Sequence, residues 1–196
     1  MIHHHIDLGS VLRGTVCSLY SNLVTRPTGA AVRTEIERCI AELGGRTMTV
    51  IDFSQVTLLD FSCADEIVAK LMLAACADSA SPSAVDGYFL FLGLGDRHLD
   101  AVEAVLERHR LGIVAVIDGT AVLIGDVDAP SRAVWEALRD AGPCDACALA
   151  SALHASADEV TEALDALARR RLVVHVGATY AVIGAFGPSP APGVAA

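Results

Sequence analysis

The sequence predicts an α/β layer over residues 1–126, in which helices pack against a sheet, followed by a small α+β unit over residues 127–184. Three observations favour this arrangement. Apolar runs typical of buried strands alternate with amphipathic helix patterns as far as Gly125. A polar connection with a proline, DVDAP, follows them. After it the pattern changes to helices and one terminal hairpin, while residues 185–196 are predicted to be a disordered tail.

The first predicted elements lie before residue 55. VLRGTVCSLYSNLV fits a strand followed by a short helix, so this stretch is ambiguous. AAVRTEIERCIAEL has one apolar face and predicts a helix introduced by Thr28 and Gly29 and ended by Gly44 and Gly45. RTMTVIDFS, rich in β-branched residues, predicts a buried strand after it.

The next elements complete the α/β pattern. A helix begins near Ser62, and its apolar stripe has helical spacing: Ala64, Ile67, Val68, Leu71, Met72 and Ala75. YFLFLGL predicts a buried strand, and RHLDAVEAVLERHRLG predicts a helix with Leu99, Val102, Leu106 and His109 on one face. IVAVIDGTAVLIG predicts two short strands around the turn at Asp118 and Gly119.

The C-terminal unit is predicted to contain three helices and a hairpin. SRAVWEALRDAG is capped by Ser131 and stopped by Gly142, DACALASALHAS is short, and SADEVTEALDALARRRL begins with a capping box of Ser156 and Glu159. LVVHVGATYAVI then predicts two strands around a turn at residues 177–179. Three helices followed by a hairpin are the pattern of a winged helix-turn-helix.

Composition limits the classes of function. Apolar residues make up 53% and charged residues 19%, which is enough for a packed core. The net charge of −10 disfavours a broad electrostatic attraction to nucleic acid or anionic lipid. No uncharged apolar run of membrane-spanning length is present, and the N-terminus has no signal-peptide pattern. We therefore expect a cytoplasmic protein whose six cysteines are reduced.

Ser62 is the first candidate site, since Asp60 precedes it and Asp65 and Glu66 follow it. Ser-x-x-Asp before an apolar helix is a capping box, in which the hydroxyl accepts a backbone N–H and Asp65 reaches back. Capping alone would explain the serine. The alternative hypothesis is an exposed hydroxyl on an acidic rim where the chain turns from sheet to helix.

The segment from the strand end to this helix resembles the STAS domain of anti-sigma factor antagonists. The residues that match that pattern are Asp52, Phe53, Ser54, Val56, Leu59, Asp60 and Ser62. Phe61 and Cys63 depart from it, because the family usually has a small or hydroxyl residue and a glycine there. The resemblance covers about residues 46–125 and implies a STAS-like sheet with helices packed on it.

The resemblance also implies a role for this segment. It implies that Ser62 is phosphorylated by a partner kinase and that a regulatory protein, such as an anti-sigma factor or a kinase-like protein, binds here. The implied contact residues are Asp60, Phe61, Ser62, Cys63, Asp65 and Glu66. A phosphate would add about two negative charges to the acidic rim and would release a partner that binds the unmodified serine.

Two further motifs have more than one interpretation. In TRPTG, Arg26, Thr28 and Gly29 could gather with Arg33 around an anion, or could be a capped helix start with exposed arginines. Cys144 and Cys147 form a CxxC without the second half of a zinc site, which leaves a thiol sensor or ordinary packing cysteines. His98 and His109 are expected at the surface or an edge.

The leading hypothesis is a non-enzymatic signalling or transcription regulator with no catalytic residue, cofactor or metal. The alternative is a DNA-binding winged-helix transcription factor, which would place Arg169, Arg170 and Arg171 against DNA. Residues 127–184 carry five arginines and eight acidic residues, a net charge of −3, and acidic residues occupy the start of the third helix. This charge opposes binding to phosphates. No membrane contact is expected, and homodimerisation stays open.

Overall fold

The computed structural model describes residues 1–15, 21–77, 81 and 84–184. Its main sheet has five strands in the order β1-β3-β5-β6-β7, all parallel except β7, which runs antiparallel to β6. The strands are β1 Ile2–Asp7, β3 Thr47–Asp52, β5 Gly87–Leu92, β6 Gly112–Ile117 and β7 Thr120–Gly125. Two small sheets join β2 Asn22–Leu23 to β4 Leu58–Leu59, and β8 Val173–Val176 to β9 Thr179–Val182.

Helices connect and cover these strands. They are α1 Leu8–Thr15, α2 Arg26–Leu43, α3 Phe61–Ala64, α4 Lys70–Cys76, α5 Asp96–His109, α6 Ala129–Ala141, α7 Ala146–Leu153 and α8 Ala157–Arg169. A π-helical segment, Asp65–Ala69, joins α3 to α4. The chain is therefore a mixed α/β protein, as the sequence predicts. Within the residues described, no helix combines the length and the apolar character needed to cross a bilayer.

Both faces of the main sheet are covered, which is usual for a mostly parallel sheet. Alternate strand residues point to opposite faces. Ile51, Phe89, Phe91 and Ile113 belong to the core that is shared with α1–α5. Met48, Tyr88, Leu90, Val114 and Leu123 belong to a second core on the other face.

Residues 129–182 supply the other half of that second core. Trp135 is completely buried, and its indole N–H donates a hydrogen bond to the carbonyl of Leu172 at 3.1 Å. The three helices and hairpin are present as predicted, and Trp135, Val160, Leu164 and Tyr180 belong to the same hydrophobic cluster as the residues on that face of the sheet. The boundary at residue 126 stays a prediction, and the structure adds that the two parts share a hydrophobic core.

The structure corrects several local expectations. The N-terminal histidines lie in β1, and VLRGT belongs to α1 rather than to a strand. Asp60 caps α3 and Asp128 caps α6, in place of Ser62 and Ser131. Ser156 makes no side-chain cap hydrogen bond at α8. An aspartate accepts the free backbone N–H groups at a helix start as well as a serine does, so sequence alone did not distinguish the two nearby cap candidates.

The predicted tail, residues 185–196, and Cys17 lie outside the described residues.

Candidate functional site

The candidate site is the connection between β3 and α3, at the edge of the sheet where the parallel strands end. β4 pairs with β2 in this connection, and the Asp60 amide donates to the carbonyl of Leu23 at 2.8 Å. Gly93, which follows β5, has φ +69°, and a Cβ there would lie 2.4 Å from the Ser54 nitrogen. Only glycine therefore permits the two strand ends to approach so closely.

His98 anchors the same connection from α5. The side chain is completely buried, its Nε2 lies 3.0 Å from the carbonyl oxygen of Val56, and its Nδ1 accepts from the Gly95 amide at 3.3 Å. Burial lowers its pKa, so the neutral ring donates to Val56. The expectation of a surface histidine is wrong for His98. Its spacing to Val102 and Val105, at i+4 and i+7, would have indicated a buried face.

Ser62 lies at the start of α3 and is half-buried. Its hydroxyl donates to the two carboxylate oxygens of Asp60 at 2.9 and 3.1 Å. Asp60 Oδ1 also accepts the Cys63 amide at 2.8 Å, which is the helix cap. Burial raises the pKa of Asp60 and these hydrogen bonds lower it, with a net decrease. Ser62 thus holds the capping residue instead of acting as the cap.

Asp65 and Glu66 do not lie on an exposed rim, because they are only 7% and 3% exposed. Arg26 Nη1 donates to Asp65 at 2.8 Å and to Glu66 at 2.7 Å. His109 Nε2 lies 2.7 Å from Asp65, while Lys70 donates to Glu66 at 2.6 Å. These contacts link α2, α4 and α5 to the π-helical segment in one ionic cluster.

The electrostatics of this cluster overturn the predicted acidic rim. Burial raises the pKa values of Asp65 and Glu66, but hydrogen bonds from Arg26 and His109 to Asp65, and from Lys70 and Arg26 to Glu66, outweigh it. Both carboxylates are therefore charged and neutralised internally. Glu66 Oε2 has no hydrogen-bond partner within the described chain, and Arg33 Nε lies 3.5 Å from it. A π-helical segment is rare and is often found at functional sites.

Cys63 is also unsuited to a direct surface contact. It is completely buried, and its thiol donates to the carbonyl of Thr25 at 3.0 Å. Burial and the nearby Asp60 raise the pKa of this thiol to about 11. A Cβ at Gly29 would lie 2.9 Å from Cys63 Cα, so α2 and α3 approach closely here. The close approach at Cys63 is therefore made by Gly29 of this same chain.

Two apolar side chains on this connection do face solvent. Leu58 is 45% exposed and Phe61 is 37% exposed. The guanidinium of Arg108, on α5, lies 5.7 Å from the centre of the Phe61 ring, within the range of a cation–π contact. Among the predicted contact residues, Phe61 is exposed and Ser62 and Asp60 are half-buried. We call Leu58, Phe61, Ser62 and Arg108 the loop surface.

The arginines proposed for DNA contact have different surroundings. Arg170 donates to the carbonyls of Arg110 and Asp126. Arg171 donates to the carbonyl of Ala75 at 2.9 Å and lies over the ring of Tyr88. Both side chains therefore join the C-terminal part to the sheet and its helices, whereas Arg169 is exposed. The DNA contact expected of the three arginines stays a prediction, and in this structure Arg170 and Arg171 are already engaged by carbonyls of the same chain.

The remaining motifs are also placed. Arg26 and Arg33 are engaged by Asp65, Glu66 and Glu37 instead of an external anion. Cys144 pairs with Tyr180 through backbone hydrogen bonds, and burial raises the pKa of its thiol, whereas Cys147 is exposed in α7. Within the described ranges, no three His, Cys, Asp or Glu side chains come together as metal ligands.

The loop surface and the ionic cluster beneath it are thus the arrangement on which a function can be proposed. Comparison with known proteins adds no family: no family pattern matches the chain, and no curated protein or solved structure is significantly similar to it.

Proposed function

We propose that the chain is a non-enzymatic regulator whose STAS-like α/β part binds a protein partner through the loop surface. The observation that carries this proposal is the exposure of Leu58 and Phe61 beside the half-buried hydroxyl of Ser62. Exposed aromatic and arginine side chains are typical of protein-binding surfaces. The resemblance to anti-sigma factor antagonists supports a regulatory protein, anti-sigma factor or kinase-like, as the partner.

Phosphorylation of Ser62 would act on the helix cap and not on an acidic rim. The hydroxyl now donates to Asp60, and a phosphate ester has no such proton to donate. It would also place about two negative charges beside the Asp60 carboxylate. The cap and the loop surface would have to rearrange, which gives a local physical reason for release of a bound partner.

Site-specific crosslinking in the native cell tests the binding proposal. A photoreactive phenylalanine analogue at Phe61 should form a crosslink to one defined protein, which mass spectrometry identifies. The same analogue at Val176, which is 67% exposed on the β8–β9 hairpin, is the matched control. A crosslinked product that is the same from both positions, or none from position 61, would refute the loop surface as the contact.

The phosphorylation step has a separate test with the partner that is captured in this way. Ser62→Ala should retain binding, whereas Ser62→Asp should weaken it by about tenfold or more, since a loss of about 1.4 kcal/mol suffices. Phosphopeptide mapping of the chain from the native cell should find the modified Ser62. Equal affinity of the two variants would remove the switch and leave the binding surface.

The DNA-binding alternative has less support from the structure. Arg170 and Arg171 are held by carbonyls, and Asp158, Glu159 and Glu162 are exposed in the first turns of α8. Carboxylates on the helix that would enter the major groove oppose binding to the phosphates that flank it. A genomic DNA fragment retarded by this chain and released by Arg169→Ala would restore the alternative.

A further inference from the structure

The two edge strands of the main sheet differ in whether their outward backbone groups are hydrogen-bonded. At β7, the Asp126 amide donates to the Leu111 carbonyl, so alternate residues of β7 direct their carbonyls away from β6. Those carbonyls are occupied: Arg132 donates to Leu123 and Gly125, at 2.6 and 3.2 Å. Arg139 reaches the Ala121 carbonyl at 3.5 Å. Two α6 guanidinium groups thus occupy the outward carbonyls of this edge.

The opposite edge, β1, has no such cover among the described residues. The Ile2 amide donates to the carbonyl of Arg46, and Ile2 lies opposite Thr47 of the parallel strand β3. In a parallel pair alternate residues bond the same neighbour, so Ile2, His4 and Ile6 bond β3. The backbone N–H and C=O groups of His3 and His5 therefore point outward. No described residue hydrogen-bonds to them.

An uncovered strand edge is a template for pairing with another strand. We propose that β1 is a self-association edge on which β1 of a second copy of this chain pairs antiparallel. Centring the register on His4 places His3 opposite His5 of the partner subunit, and each such pair exchanges both N–H···O bonds. In this register the side chains of paired residues point to the same face of the sheet. The exposed Ile2 therefore lies opposite Ile6 of the partner subunit on that face.

Charge and symmetry favour a second copy as the occupant. The chain has a net charge of −10, which repels two copies over most approaches, but residues 1–6 contain no acidic side chain. Because the arginines occupy the outward carbonyls of β7, β1 is the edge of the main sheet whose outward groups are free among the described residues. An isologous contact through one edge closes after two copies, so it yields a dimer and not a fibre. This association uses a surface distinct from the loop surface and stands independently of the proposed partner binding.

Sedimentation equilibrium over a series from micromolar to millimolar protein tests this proposal. The wild-type chain should approach twice its 20.4 kDa mass. His3→Pro removes an outward N–H that β3 does not use, and should weaken dimerisation by about tenfold or more. His3→Ala keeps that N–H and should dimerise like the wild type. A monomeric wild type, or equal dimerisation of the two variants, would overturn the proposal.

Two further measurements keep the test decisive if His3→Pro does not fold. In the wild-type chain, hydrogen exchange at the His3 and His5 amides should slow as protein concentration rises, and unchanged exchange would contradict the pairing. Arg132→Ala uncovers the carbonyl of Leu123, so this variant should form species larger than a dimer. An Arg132→Ala variant with the wild-type mass distribution would contradict the role assigned to the covered edge.

Discussion

Replacing Glu66 with glutamine should destabilise the protein through the buried ionic cluster. Glu66 is 3% exposed and meets Arg26 and Lys70 at 2.7 and 2.6 Å. Removing one partner from a buried ion pair costs about 3–5 kcal/mol. The cations left behind, Arg26 and Lys70, are 49% and 42% exposed, so water can solvate them and we expect a smaller loss, about 1–2 kcal/mol.

The pH dependence separates loss of charge from loss of packing. The pKa of Glu66 is lowered in the folded protein, so its contribution is complete above the unfolded-state value of about 4.3. That contribution disappears as the pH falls through the lower folded value. The stability difference between the wild type and Glu66→Gln should therefore be full at neutral pH and shrink in acid, where both side chains are neutral.

Urea unfolding followed by fluorescence measures this difference, because Trp135 is the single tryptophan and is buried. At neutral pH the variant should also melt roughly 2–8 °C below the wild type, from about 2–4 °C per kcal/mol at this chain length. Glu42→Gln changes an exposed partner of Arg38 and is the matched control, with no change expected beyond experimental error. A wild-type stability for Glu66→Gln, or a difference that persists unchanged in acid, would refute the reasoning.

Three further predictions concern the candidate site. Asp60→Ala removes the α3 cap and should cost about 1 kcal/mol in urea unfolding, whereas Asp60→Asn, which keeps an acceptor, should cost less. Gly93→Ala should lower the melting temperature or prevent folding, because its φ is +69° and its Cβ would lie 2.4 Å from the Ser54 nitrogen; an unchanged melting temperature would contradict that contact. Iodoacetamide near pH 8 should label the exposed Cys147 much faster than the buried Cys63, whose pKa is raised to about 11. Mass spectrometry of the labelled peptides measures the two rates, and equal rates would contradict the burial of Cys63.

Most elements of the fold could be predicted from local patterns. The stripe from Ala64 to Ala75 is buried as predicted, and the π-helical segment buries Asp65, Glu66 and Ala69 as well, so the spacing identified the apolar face but not the full extent of burial. The turn at Asp118 and Gly119 has positive φ at both residues, which Asp-Gly commonly adopts between antiparallel strands. The β1 strand was missed because its three histidines lack the apolar character of a buried strand.

The candidate site was only partly predictable. Its position in the chain followed from the segment around Ser62, but the state of its carboxylates did not. Asp65 and Glu66 look like surface residues by type, and Arg26 lies 39 residues from Asp65 in sequence. No local pattern joins such residues, since their pairing depends on how α2 packs against the π-helical segment.

The sequence by itself determined the order of most helices and strands after β1 and α1, the helical periodicity of the buried faces and the place of Ser62 at a helix start. These features depend on interactions between residues near one another in the chain. Only the tertiary structure decided that Asp65 and Glu66 are neutralised inside and that Arg170 and Arg171 bind carbonyls of the adjoining layer. It also decided that arginines occupy the outward carbonyls of β7, whereas no residue in the described part of the chain bonds the outward groups of β1. Those outcomes require contacts between distant segments, where the cost of burying charge is offset only by partners that folding brings together.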